Sequence, residues 1–149
     1  MRKFSFIFPL VSSFIVNIAF LSILSSCGQR NAGNEMLKSA FLQATLDAYI
    51  KGDVKALDTY LAADFIQYCR PPEPDIKGLE TYKNAIIAFR RGFQNLQVAI
   101  EPMIMDGNFS AWKGSWQATE ISTGKHIKMT VFEMYRWANG KAVESWNYS

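Results

Sequence analysis

An α+β domain is the fold class this sequence predicts, and three observations predict it. Apolar residues recur at helical spacing between positions 36 and 91. Beyond that the texture changes to short alternating stretches rich in tryptophan, tyrosine and β-branched residues. Near the C-terminus, Asn139-Gly140 stands between two of those stretches and marks a tight hairpin. Helices gathered early and antiparallel strands late are the α+β pattern.

The elements follow in chain order. Arg2 and Lys3 are the only charges before Arg30, and FSFIFPLVSSFIVNIAFLSILSS lies between them. A positive start, an apolar run and small residues before a cysteine describe an export signal over residues 1–26. An uncleaved membrane anchor is the alternative, because the run approaches the ~20 residues of a spanning helix. Pro9, the serines, Asn17 and the placing of Cys27 favour export. Leu24-Ser25-Ser26-Cys27 resembles the bacterial lipobox, which implies a lipid on Cys27 and a chain held to the cell envelope. Gly28, in place of an aspartate after that cysteine, favours the outer membrane by resemblance to Gram-negative sorting. Residues 27–35 then read as a lipidated tether and 36–149 as a single domain.

Asn34 is a candidate N-cap for a first helix with Leu37, Phe41, Ala44 and Ala48 on one face. Gly52 stops it, and Asp53 is the expected cap of a shorter second helix carrying Val54, Leu57, Tyr60 and Leu61. Phe65–Cys69 reads as a short strand, and the prolines at 71, 72 and 74 force an extended loop. A third helix is expected from Leu79 to Arg91 with Tyr82, Ile86 and Phe89 on one side. Strands then follow at Leu96–Glu101, Phe109–Thr119 and His126–Trp137, with turns at Asp106-Gly107, Ser122-Thr123-Gly124 and Asn139-Gly140 before the last strand.

Composition excludes some functions. The chain has 149 residues and a formal net charge of +3, but without Arg2 and Lys3 there are 14 basic side chains against 13 acidic. That balance, with no basic run interleaved by aromatics, argues against nucleic-acid binding. Lipidation would consume the Cys27 thiol and leave Cys69 alone, and one histidine with one cysteine makes no metal site. No cofactor motif is present, so none is expected.

The order of parts resembles the nuclear transport factor 2-like superfamily, and within it the SnoaL-like, polyketide-cyclase-like domains. The residues that carry the resemblance are Asp64-Phe65, Gly78-Leu79-Glu80, Asp106-Gly107-Asn108, Thr123-Gly124-Lys125 and the closing NGKAVESWNYS at 139–149. The resemblance implies a cone-shaped, curved antiparallel sheet wrapped by about three helices, with one apolar pocket. Such pockets are catalytic in some members and only binding cavities in others. The cyclase-type members use a carboxylate four residues after the last-strand tryptophan. Counted from Trp146, that position falls one residue beyond Ser149. They also tend to carry a histidine near the position that Tyr68 holds here. Both usual suppliers of proton transfer are missing, which argues against a cyclase.

Substitutes exist in the sequence. On strict alternation Glu133 shares a face with Ile127, Met129, Val131 and Tyr135. If that face points into the cone, burial makes Glu133 a base; otherwise it pairs with a basic residue on a neighbouring strand. Tyr68 is the candidate hydrogen-bond donor to a ligand carbonyl, or simply core. His126 reads as an exposed strand end, and Arg70 as a solvated residue beside the pocket mouth. Trp112, Trp116, Trp146 and Tyr148, with Tyr68 and Glu133, are the expected pocket wall. The function expected is binding of a small apolar or aromatic molecule without efficient catalysis. The rivals are an isomerase, cyclase or hydrolase using Glu133 and Tyr68, and a scaffold that forms a homodimer through its open sheet face.

Overall fold

The computed structural model describes residues 33 and 36–148. The chain divides into two compact units, Met1–Leu37 and Lys38–Ser149, and the fold below is that of the second. The expected export signal, Cys27, and Asn34 as a cap lie outside the described residues.

Helix α1 covers residues 38–46 and ends in a wider π turn, Asp47–Lys51. Phe41, Ala44 and Ala48 are buried, as their helical spacing requires. Gly52 stops the helix with φ 83°, a left-handed position that glycine takes without steric cost. Asp53 makes no side-chain cap, and the expected second helix is only a 3-10 turn, Val54–Thr59, anchored by buried Leu57. Leu61 belongs to strand β1, Leu61–Tyr68, which begins four residues before the expected start at Phe65. After the proline loop come a two-residue strand β2, Ile76–Lys77, and helix α2, Leu79–Gly92. Lys83 of α2 reaches Asp58 and Glu80, tying the helix to the 3-10 turn.

The remaining strands are β3, Phe93–Ile100, β4, Ile104–Asp106, β5, Phe109–Glu120, β6, His126–Ala138, and β7, Lys141–Tyr148. Their order is β2-β1-β7-β6-β5-β3, with β4 also on β5, in one curved and unclosed sheet. The sheet is mixed: β1 runs parallel to β7, while every other pair is antiparallel. The expected all-antiparallel sheet is corrected at that pair. The reason is one of connection, since β1 and β7 are far apart in sequence and need no tight turn between them. Bulges bend the sheet between Gln94 and Gln97 and between Arg136 and Trp137. The hairpin turn is as expected, with Asn139 at φ 52° and Gly140 at φ 75°, both central residues of a primed turn.

The helices lie on the inner face. Phe41 meets Tyr135 and Trp137 edge-on, with ring centroids 4.9 and 5.2 Å apart. Trp137 donates from Nε1 to the Ser110 hydroxyl at 2.7 Å, which satisfies the one polar atom of that cluster of rings.

Candidate functional site

Beside this core the inner face leaves a cavity of about 240 Å³. Strand alternation decides what enters it. Strand β6 turns Met129, Val131 and Glu133 inward, the face predicted for them, and β5 contributes Trp116. Gln67 of β1 and Asn147 of β7 face the same space. Tyr49, Tyr82 and Phe89 close it from the helical side, while Arg70 and Glu73 of the proline loop border its mouth. The Arg90 guanidinium donates to the Tyr49 carbonyl, so α2 holds the end of α1 and positions the Tyr49 ring.

Glu133 is the centre of this arrangement. It is 6% exposed, and among the described residues no cationic side chain pairs with it. Burial pushes its pKa up to about 7, while Tyr135 and Ser145 pull the other way. That pull is incomplete, because Oε1 of Glu133 and Oγ of Ser145 both lack a partner in hydrogen-bond geometry. Burial also raises the phenols of Tyr49 and Tyr82, and the nearby Glu133 charge adds to the effect on both. Their hydroxyl oxygens lie 3.5 Å apart. Oε1 of Gln67 and Nε1 of Trp116 are buried without partners as well. A buried polar atom left unpaired costs free energy, about 1–3 kcal/mol, unless something else meets it. Several of them lining one cavity mark a place where a ligand or water belongs.

Half of the expected wall is elsewhere. Tyr68 points away from the cavity, donating its hydroxyl to Glu144 at 3.4 Å and stacking on Trp146 at 5.4 Å. It therefore cannot act beside Glu133. Trp146 and Tyr148 share its outer face, and Tyr148 is 60% exposed opposite Phe132. The cause is a bulge. Trp137 pairs with Ala142 but Arg136 with Glu144, so Val143 is an extra residue and every later side chain of β7 changes face. Ser145 and Asn147 turn inward in place of the two aromatics. Trp112 is inward and buried but lies outside the cavity wall, its ring folded over Gly114.

His126 is an exposed strand end, its Nδ1 2.9 Å from the Thr119 hydroxyl. Cys69 lines the cavity as a half-buried thiol whose pKa burial raises, so it is a poor nucleophile. Among the described residues no group of His, Cys, Asp and Glu could hold a metal ion. Sequence reasoning missed Gln67, Tyr49, Tyr82 and Asn147. Gln67 had a usable signal, an amide two residues after Phe65 on the apolar face of one strand.

The family model of SnoaL-like polyketide cyclases matches residues 39–149. The chain belongs to that family. Solved structures share its fold. A candidate polyketide cyclase from Acidithiobacillus ferrooxidans is 24% identical, with a TM-score of 0.64 over 75% of this chain and 86% of that one. A protein of unknown function from Burkholderia pseudomallei, described as NTF2-like, is 15% identical, with a TM-score of 0.65 over 75% and 89%. A ketosteroid isomerase-like protein from Catenulispora acidiphila, in complex with trimethylamine, is 15% identical, with a TM-score of 0.64 over 72% and 83%. No curated protein matches the chain in sequence.

Proposed function

We propose that this SnoaL-like domain receives one small, largely apolar molecule in the inner cavity and holds that molecule's polar group at Glu133. The observation that carries the reading is the Glu133 carboxyl itself, buried in an aromatic-lined cavity with Oε1 unpaired. A carboxyl kept only for folding would have its lone pairs filled. The resemblance of Leu24–Cys27 to a lipobox supports the further proposal that the domain is exported and held to the envelope by a lipid on Cys27. Native mass spectrometry of the full chain, taken from membranes in mild detergent, tests the pocket. A co-purifying molecule lost in Trp116→Ala supports the reading; the same adduct retained in that variant would place it outside the cavity.

A second reading is catalytic, and the pKa of Glu133 favours it. A carboxyl titrating at about 7 exchanges a proton readily near neutral pH, as a general base must. In that reading Glu133 takes a proton from a small carbonyl compound, and the Tyr49–Tyr82 pair replaces Tyr68 as the donor to the oxygen. Glu133→Gln separates the two. A binding protein keeps ligand affinity within a few-fold, whereas an enzyme loses about 10²–10⁴-fold in turnover. Self-association through the outer sheet face is a further proposal, favoured by Phe109, Phe132, Met134 and Tyr148 lying exposed there.

A further inference from the structure

We infer that the cavity selects a small organic cation, an alkylated amine or quaternary ammonium group seated between Glu133 and the aromatic rings. This rests on the proposal that the cavity takes a small molecule, and it names the charge of that molecule.

The first ground is an uncompensated acid. Glu133 is enclosed, has an unpaired oxygen, and meets no cationic side chain among the described residues. The ionised form therefore lacks a counter-charge that the protein itself could have supplied. A ligand cation supplies one, and an anionic ligand would be repelled.

The second ground is the wall. Tyr49, Phe89 and Trp116 pack mutually edge-on: Tyr49 meets Trp116 at 4.5 Å and 83°, Tyr49 meets Phe89 at 6.0 Å and 80°, and Phe89 meets Trp116 at 5.9 Å and 80°. Rings crossed in this way direct their faces differently around one space. Those faces carry the negative part of each ring quadrupole, and alkylated ammonium groups bind between them. Tyr82, buried on the same side, adds a further ring.

The third ground is the distribution of the remaining charge and polarity. Gln67 adds a second unpaired acceptor, Oε1, to the carboxyl. The wall's own cation, Arg70, is exposed at the mouth, where Glu73 accompanies it, and makes no ion pair with Glu133. A protonated tertiary amine would donate its one N–H to Glu133 and turn its alkyl groups to the rings. A quaternary group would rely on the field of the carboxylate and on the ring faces alone. No covalent step is involved.

The test uses the full chain in detergent and two probes of nearly equal shape, choline and its neutral isostere with a tert-butyl group in place of the trimethylammonium. Isothermal titration should find choline bound at least about tenfold more tightly than the isostere. Glu133→Gln should remove that preference while leaving affinity for the isostere unchanged. Trp116→Leu should weaken choline more than the isostere. Glu133→Gln is close to the shape of the protonated acid already tolerated there, and Trp116→Leu reads the same site without touching the carboxyl. Equal or tighter binding of the neutral isostere would overturn the inference and leave the small-molecule reading intact. If neither probe nor a neutral aromatic such as indole binds, the inference and the small-molecule reading both fall.

Discussion

Glu133 shows how one residue couples stability to pH. Its folded-state pKa of about 7 stands above the ordinary 4.5, so the folded protein holds a proton that the unfolded chain releases. Its contribution is then intact below about pH 4.5 and is lost as pH rises towards 7, reaching roughly 3 kcal/mol at full ionisation. Glu133→Gln should flatten that part of the profile and raise the midpoint of thermal unfolding most at about pH 8. Parallel slopes for wild type and variant across that range would contradict a buried, unpaired acid. Gly114 is a steric counterpart on the next strand. A Cβ there would meet Trp112 Cζ3 at 2.7 Å and the Ala99 carbonyl at 3.2 Å. Gly114→Ala should cost about 1–3 kcal/mol in urea unfolding, because the buried indole has to leave its place. An unchanged midpoint would mean that the ring is free to shift.

At the scale of elements, β6 and β7 respond differently to the same rule. Strict alternation holds along β6 and places Glu133 correctly, with the bulge only at its far end between Arg136 and Trp137. Counting from buried Ala142 along β7 would have turned Trp146 and Tyr148 inward, and the extra Val143 reverses them. A residue such as valine carries no local mark of a bulge, so pairing with β6 sets it. The β6–β7 turn is the opposite case, since Asn139-Gly140 encodes its own backbone. Gly140 sits at φ 75°, so Gly140→Ala forces a side chain into a left-handed position. It should destabilise by about 1–2 kcal/mol, read as a lower denaturant midpoint at unchanged slope. No shift would show that the turn relaxes to another type.

For the molecule as a whole, the mixed sheet has two faces with different work. The inner face carries the core and the cavity. The outer one leaves Phe132 paired with Tyr148 and Met134 with Trp146 across β6 and β7, an apolar patch facing solvent. Such a patch suits the proposed self-association. Sedimentation of the protein should show a concentration-dependent dimer that Phe132→Lys dissociates without changing the thermal midpoint. A wild type that stays monomeric at every concentration would remove the proposal.

By itself the sequence determined the α+β class, the order of helices and strands, the primed turn at Asn139-Gly140 and the inward face of β6. These follow from local spacing and local backbone preference, which are properties of neighbouring residues. Tertiary structure alone decided that β1 runs parallel to β7, that Val143 bulges, and that Gln67 and Asn147 replace Tyr68, Trp146 and Tyr148 at the cavity. Each of those depends on which strands pair and in what register. A one-residue difference there moves a side chain from ligand to solvent, and no short-range pattern records it.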